Sequence, residues 1–221
     1  MTLNETYHEI MSITQKVIKA GLSIQEKFPY RTGNKIVWQD QTDISIALKN
    51  VSYVDKYNIL NKERNFNFKM LDGALLQFMY EFANRGRELI SHRLAFFPAP
   101  HLERYDDIPE EYETNYFADS EFHDQLEKNI VTSPIRFDYN VNPEMFKDIE
   151  HPYSHTHFGE YEFCRIPLCS PITPSIFFNF ILRNFYNYAI RTKGNIIPIS
   201  AHRFETCITE NEKRVLHFSI D

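Results

Sequence analysis

The sequence predicts an α+β fold, in which a largely antiparallel sheet is packed by an N-terminal amphipathic helix and by a late, mostly buried helix. Two patterns support it: short apolar runs that alternate between turn residues, and apolar residues at helical spacing near both ends of the chain. The 221 residues are 43% hydrophobic and include 19 Phe and 13 Tyr, enough to bury one sizeable core. We therefore expect residues 1–221 to form a single domain.

The first helix is predicted over residues 3–27. Thr2-x-x-Glu5 has the spacing of a capping box, in which each residue satisfies a backbone N–H of the other. Apolar residues then recur every three or four positions: Tyr7, Ile10, Met11, Val17, Ile18 and Leu22. This spacing is typical of an amphipathic helix that packs one face on a core.

Strands are predicted next. The turn Thr32-Gly33-Asn34 precedes three β-rich runs, at residues 35–39, 43–50 and 51–60, which we interpret as strands of one meander. A hairpin is predicted after Asp72-Gly73. Its first strand has apolar residues at alternate positions, Leu76, Phe78, Tyr80 and Phe82; the chain turns at Asn84–Gly86, and Ile90 to Phe96 forms the returning strand.

The second half of the chain contains an acidic zone, a strand and the late helix. Residues 99–130 lack sustained alternation, so we predict an acidic insertion that is solvated or docks a partner, with one short helix near its end. Residues 134–143 alternate again as a strand. Thr173-Pro174 then supplies an N-cap and a first-turn proline for a helix that runs to Gly194.

Composition excludes several classes of protein. The three cysteines have no C-x-x-C spacing, which argues against a disulfide framework or a Cys-rich zinc site and favours a reducing compartment. We find no signal-peptide pattern and no apolar run long enough to cross a bilayer, so we expect a cytoplasmic protein without membrane contact. The net charge of −6 means that any nucleic-acid contact needs a local basic patch.

The strongest local signal is a group of histidines. His151, His155 and His157 fall within seven residues, and two of them form a His-x-His pair. On a strand, side chains at i and i+2 project from one face, so His155 and His157 could act on one substrate or one ion. One use is metal-free RNA cleavage by acid–base catalysis; another is a transition-metal site completed by His151, Asp138, Glu160 or Glu162. Structural histidines are the third interpretation.

Arginines provide candidate phosphate ligands for the same site. Arg136 and Asp138 form an i, i+2 pair before the histidines, and Arg165 follows them. In the late helix Arg183 and Asn184 lie in a polar stripe on an otherwise apolar helix. We therefore predict His155, His157, Arg136 and Arg165 as catalytic residues, and His151, Asp138, Arg183 and Asn184 as substrate-binding residues. For both arginines and for the polar stripe, ordinary ion pairing or a solvated helix edge is the alternative.

Two resemblances bear on function. The order His-x-His-x-Gly, Arg-Ile-Pro and Arg-Asn-Phe-Tyr, at residues 155–159, 165–167 and 183–186, resembles a bacterial family of unknown function over most of the chain. More distantly, Arg136-Phe-Asp138, Pro152 and His155-Thr-His157 resemble the TumE-like toxins of toxin–antitoxin pairs. Those toxins are smaller and lack the acidic insertion and the late helix. This second resemblance implies nucleic-acid cleavage or interference.

The sequence-based hypothesis is thus a bacterial conflict-system protein, of toxin–antitoxin or phage-defence type. It would be a ribonuclease or phosphodiesterase that uses the histidine pair and needs no cofactor. The alternative is a non-enzymatic accessory subunit that docks onto a partner protein from the same operon, or onto a nucleoprotein complex. In a variant of the enzyme hypothesis, a divalent transition metal binds to His155 and His157 and takes part in cleavage.

Overall fold

The computed structural model describes residues 1–41, 51–100, 105, 106, 108–110, 112, 133–161 and 163–219. Within these ranges the helices are α1 (Leu3–Ala20), α2 (Tyr53–Lys62), α3 (Pro174–Phe185) and α4 (Asn187–Lys193). The strands are β1 (Ser23–Glu26), β2 (Pro29–Thr32), β3 (Lys35–Trp38), β4 (Phe68–Met70), β5 (Leu75–Ala83), β6 (Glu88–Phe97), β7 (Ile135–Asn140), β8 (Ser154–Phe158) and β9 (Ile166–Pro167). The predicted α+β class is confirmed.

All described strands belong to one antiparallel sheet. Its order is β1-β4-β5-β6-β7-β8-β9, and β3 pairs with both β2 and β5. The long β5–β6 hairpin forms its centre, and the predicted turns at Thr32-Gly33-Asn34, Asp72-Gly73 and Asn84–Gly86 are confirmed at the ends of their strands. Sequence neighbours pair along most of the sheet, which explains why turn residues and alternation were informative here.

The two faces of the sheet are packed differently. On the helix-covered face, alternate residues of β5 are buried against α1 and α3: Leu76, Phe78, Tyr80 and Phe82. Phe78 contacts Phe177 edge-on, with ring centroids 5.2 Å apart. On the opposite face, α2 buries Tyr57 and Leu60 on Leu75 at one end only. The rest of that face, called here the polar face, carries Arg93, Arg136, Asp138, His155 and His157.

The two helices on the helix-covered face, α1 and α3, are connected at the start of α3. The hydroxyl of Thr173 accepts the Ile176 N–H at 3.4 Å, which confirms the predicted N-cap, and Glu9 of α1 accepts the Ser175 N–H at 2.7 Å. Phe178 and Leu182 are buried, so the prediction that this helix packs its apolar face on the sheet is confirmed. A carboxylate at a helix N-terminus also balances the partial positive charge there.

Three boundaries predicted from sequence are wrong. The first helix ends at Ala20 instead of residue 27, because Gly21 adopts a left-handed φ of 63° and residues 23–26 pair as β1. Residues 51–60 belong largely to α2 instead of a strand, because the hydroxyl of Ser52 caps the Asp55 N–H at 3.1 Å. The late helix is interrupted at Tyr186, whose buried hydroxyl donates to Asp72 Oδ1 at 2.7 Å.

Some predicted features lie outside the described residues. The strand predicted at 43–50 and most of the acidic zone at 99–130, including its short helix, are in this group. Two described residues of that zone, Tyr105 and Tyr112, are buried, with Tyr105 packed on Tyr186 at 5.4 Å between ring centroids. None of the helices in the described ranges has the length and apolar character that crossing a bilayer requires.

Candidate active site

The site is assembled by the register of four neighbouring strands. In an antiparallel sheet, residues directly opposite each other project from the same face. One row of opposed residues runs across β5 to β8: Met79, Arg93, Asp138 and His155. The adjacent row, two positions along each strand, is Gln77, Ala95, Arg136 and His157. The two rows place two arginines, one carboxylate and two imidazoles side by side on the polar face.

The predicted arrangement of the His-x-His pair is confirmed. His155 and His157 project from the same face of β8, with ring centroids 4.8 Å apart. Their exposed fractions are only 4% and 7%. His151 extends the row, with its ring centroid 5.0 Å from that of His155, and its Nδ1 contacts the Met145 carbonyl. Three imidazoles therefore form one continuous edge of the site.

A single carboxylate connects the arginines to the histidines. Arg93 Nε donates to Asp138 Oδ1 at 3.1 Å, and Arg136 Nε donates to Oδ2 at 2.5 Å. His157 Nε2 lies 3.7 Å from the same Oδ2. Burial opposes ionisation of Asp138, but the Arg136 and Arg93 guanidiniums outweigh it and hold the pKa of this carboxyl well below its usual range. Asp138 is therefore an anion at neutral pH.

Both imidazoles of the pair are neutral at pH 7. Burial lowers the pKa of His155 to about 4, and burial together with the Arg136 charge lowers the pKa of His157 to about 3. His155 Nδ1 lies 2.8 Å from the Pro152 carbonyl, which can only accept, so Nδ1 bears the proton. His155 Nε2 then has its lone pair available to accept a proton.

Arg165 completes the site from the next strand. It precedes β9, whose Ile166 pairs with Thr156, so Arg165 comes alongside His157, and its charge lowers the pKa of both histidines. Its Nε–H is buried without a hydrogen-bond partner among the described residues. Arg93, Arg136, Asp138, His155, His157 and Arg165 are called here the cluster. The cluster contains three guanidiniums, two of which bind its one carboxylate, so positive charge is in excess.

Part of the cluster has the residue types of a metal site. Ligand atoms of Asp138, His155 and His157 all lie within 4.8 Å of one another. However, both Asp138 oxygens already accept hydrogen bonds from guanidiniums, which leaves two neutral imidazoles, whereas catalytic zinc sites have three protein ligands. The guanidiniums also repel a cation. The donor set therefore fits an anion better than a metal ion.

Comparison with known proteins places the chain in a family. A family model described as an uncharacterized conserved protein, DUF2290, matches residues 22–220. The chain belongs to the DUF2290 family. The matched range begins directly after α1 and contains every residue of the cluster. No curated protein and no solved structure matches the chain. The expectation of a family of unknown function is thus confirmed, while the likeness to TumE-like toxins stays a prediction.

Most of the sequence-predicted site residues come together in this DUF2290 protein. His151, His155, His157, Asp138 and Arg165 are neighbours, together with Arg136. Of the other carboxylates considered as metal ligands, Glu160 pairs with Lys56 and Glu162 lies outside the described residues.

Arg183 and Asn184 are not brought to the cluster. They are exposed on α3, which packs on the helix-covered face of the sheet, and Asn184 Nδ2 donates to the Phe180 carbonyl of its own helix at 2.7 Å. The predicted substrate-binding role at this site is therefore wrong for both residues. The physical reason is that their stripe lies on the solvent side of the helix, the alternative that the spacing had left open.

Sequence reasoning missed Arg93. The alternation of β6 indicates that Arg93 and Ala95 face away from the core side of Leu94 and Phe96, which was a usable signal. The pairing of β6 with β7, across the acidic zone, could not be deduced from local pattern. That pairing puts Arg93 opposite Asp138 and makes it part of the DUF2290 site.

Proposed function

We propose that this DUF2290 protein is a metal-independent phosphodiesterase, with RNA as its favoured substrate, acting in a bacterial conflict system of toxin–antitoxin or phage-defence type. One observation carries the proposal: two guanidiniums bind a single carboxylate, and these groups, together with the Arg165 guanidinium, lie beside two buried, neutral imidazoles. Guanidiniums are the preferred protein ligands of phosphate, and imidazoles are the commonest acid–base groups near neutral pH.

The arginines are held ready for an anionic ligand. Their Nε atoms hold Asp138, whereas the side chains of Arg93 and Arg136 stay 43% and 38% exposed. Asp138 itself is only 16% exposed in its side chain, so it acts as a fixed anchor behind them. A phosphate that contacts the two guanidiniums and Arg165 then lies above the edge formed by the imidazoles. Preorganised donors of this kind stabilise the charge that develops on a phosphoryl group.

The two histidines support different roles in cleavage. His155 Nε2 accepts the proton of a ribose 2′-hydroxyl, and the 2′-oxygen attacks phosphorus. The bond between phosphorus and the 5′-oxygen breaks, leaving a 2′,3′-cyclic phosphate. His157 gives a proton to the departing 5′-oxygen, because its Nε2 lies 3.7 Å from Asp138 Oδ2, which stabilises the imidazolium form. A bound phosphate raises the pKa of both imidazoles through its negative charge. His157, which also faces Asp138, can then be protonated before it acts as the acid.

The first prediction tests the pair directly. His155→Ala and His157→Ala should each lower the rate of RNA cleavage by about a hundredfold or more, since positioned proton transfer contributes about that much. The rate is measured with purified protein and a labelled RNA in the presence of a chelator, which should leave the activity of the parent chain intact. His8→Ala is the control, because His8 is exposed on α1, far along the chain from the cluster.

The proposed conflict-system role is tested by bacterial growth. Expression of the parent chain in bacteria should arrest growth, and His155→Ala or His157→Ala should relieve the arrest at equal protein level. A stoichiometric transition metal whose removal abolishes cleavage would replace the metal-free mechanism by a metal site at His155 and His157. Full biological activity of the double alanine variant would instead indicate the non-enzymatic accessory subunit.

A further inference from the structure

We propose that the cluster takes single-stranded nucleic acid and that Tyr161 and Phe163, in the connection between β8 and β9, form its base-stacking platform. The inference rests on the proposed function, because it names the substrate class of that same site. Tyr161 and Phe163 are called here the aromatic tip.

The exposure of these two rings carries the proposal. Tyr161 and Phe163 are 78% and 82% exposed, the highest values of any large hydrophobic side chain among the described residues. Single apolar side chains on a surface are ordinary, but two aromatic rings two residues apart on one hairpin form a local patch. Many Phe and Tyr side chains are buried in the core, and these two rings are more exposed than Phe28, Tyr30 and Phe218, the other exposed Phe and Tyr side chains of the described residues.

The aromatic tip belongs to the hairpin that carries the catalytic groups. His157 lies on the strand that enters it, and Arg165 directly precedes the strand that leaves it. At most about 13 Å of extended chain separates His157 from Tyr161. Bases stacked on the tip therefore belong to nucleotides close to the phosphate held by the guanidiniums.

Residues on either side of the aromatic tip make contacts with the rest of the fold. Gly159 has a φ of 69°, which favours glycine, and its N–H donates to the Pro134 carbonyl at 2.8 Å. The Tyr161 ring lies over it, since a Cβ on Gly159 would come 3.4 Å from Tyr161 Cδ2. The Cys164 N–H donates to the Tyr161 carbonyl at 3.2 Å, and Glu160 pairs with Lys56 of α2. The Tyr161 ring thus packs on the hydrogen-bonded Gly159, and the Tyr161 carbonyl is bonded to Cys164.

Charge and geometry favour a single strand as the occupant. Proteins bind single strands by combining a positively charged groove for phosphates with aromatic rings on which bases stack. In a duplex the bases are stacked on one another and their faces are unavailable. The whole chain has a net charge of −6, so the excess of guanidiniums at the cluster is a local feature that suits a polyanion.

The test measures binding apart from cleavage. The probe is a labelled single-stranded DNA oligonucleotide, which lacks the 2′-hydroxyl and therefore stays intact, and its duplex is the comparison. By fluorescence anisotropy the parent chain should bind the single strand more tightly than the duplex. Tyr161→Ala and Phe163→Ala should each weaken single-strand binding at least about fivefold, the lower end of what stacking contributes per base.

Conservative variants separate stacking from apolar contact. Phe163→Trp should retain binding, whereas Phe163→Leu, which keeps an apolar side chain but has no aromatic face, should lose it like Phe163→Ala. Leu216→Ala is the matched control, because Leu216 is 75% exposed and lies outside this hairpin. Circular dichroism should show unchanged secondary structure in every variant, because these side chains are in water.

The outcomes distinguish this inference from the proposed function. In one outcome, Tyr161→Ala and Phe163→Ala bind like the parent chain while His155→Ala still loses cleavage. That result would overturn the base-stacking platform and leave the proposed nuclease function intact. Binding retained in Phe163→Leu would likewise overturn stacking. If the parent chain neither binds nor cleaves any nucleic acid, and Phe163→Ala releases a protein partner that co-purifies with the parent, both proposals fail and the tip is a protein interface.

Discussion

Asp138 connects both arginines of the central strands with the histidine edge through one carboxylate. Its two oxygens accept from Arg93 and Arg136 at 3.1 and 2.5 Å, so the loss of both guanidiniums would leave a largely buried charge unpaired. His92, on the same strand as Arg93, is the contrasting case. It points to the helix-covered face, where its Nε2 accepts the Ile172 N–H at 3.0 Å and its Nδ1 has no partner among the described residues.

His92 leads to a prediction about pH. Burial lowers its pKa to about 4, so the folded state resists protonation, whereas the unfolded chain takes up a proton near the usual pKa of about 6.5. The contribution of His92 to stability is therefore complete above about pH 6.5 and is lost as the pH falls toward 4. We expect a loss of about 2 kcal/mol in the free energy of unfolding between pH 7 and pH 4.5 from this residue.

Urea unfolding at the two pH values measures this loss. His92→Gln is the comparison, because a Gln carbonyl can accept the Ile172 N–H and does not titrate. The difference between pH 7 and pH 4.5 should be smaller in His92→Gln than in the parent chain. An identical difference in both proteins would show that His92 does not contribute, and would leave His155 and His157 as the buried histidines responsible.

The elements of the fold were predictable wherever local chemistry determines them. The β5–β6 hairpin followed from alternation and turn residues, and α3 followed from Thr173-Pro174. Residues 51–60 were misread, because β-branched and aromatic residues there suggest a strand, while the deciding feature was the Ser52 cap with Tyr57 and Leu60 three residues apart. At the site, the i, i+2 spacing predicted which histidines share a face, but cross-strand pairing, which depends on the whole sheet, decided that Arg93 joins them.

The turn between β5 and β6 packs closely against α1. Gly86 has a φ of 83°, and a Cβ there would lie 2.9 Å from Leu3 Cβ of α1. Gly86→Ala should therefore lower the free energy of unfolding by about 2–3 kcal/mol, from an unfavourable backbone conformation and from overpacking against the helix.

Gly33→Ala is the matched control, because Gly33 has a φ of 60° with nothing within 4 Å of its added Cβ. It should show only the backbone cost, about 1 kcal/mol. Denaturant midpoints of the two variants and the parent chain measure the difference. Equal losses in the two variants would contradict the close contact between the hairpin turn and α1.

Across the whole molecule, structure and proposed chemistry are divided between the two faces of one sheet. The helix-covered face holds the aromatic core, and the polar face holds the cluster, with α2 covering only its far end. The same strands serve both, since residues of β7 alternate between Phe137 in the core and Asp138 in the cluster. Length and composition predicted enough apolar residues for a sizeable core, but could not reveal which face would stay polar.

This division predicts an order of local stability. Amides of β5, β6 and β7 should exchange hydrogen only through global unfolding, because these strands are paired on both sides and carry the buried core. The two-residue strand β9 should exchange faster. Hydrogen exchange followed by mass spectrometry measures this. Fast exchange throughout β7 would contradict the expectation that Asp138 and Arg136 are held on a rigid element.

The order of the cluster along the chain has a consequence for synthesis on the ribosome. Every residue from Arg93 to Arg165 emerges before α3, whose Phe177 covers Phe137 at 5.8 Å between ring centroids. Until residues 174–185 leave the exit tunnel, the strands bearing the site lack the layer that fixes their register. The site of the proposed nuclease is therefore completed late in translation, after most of the messenger that encodes it has been read.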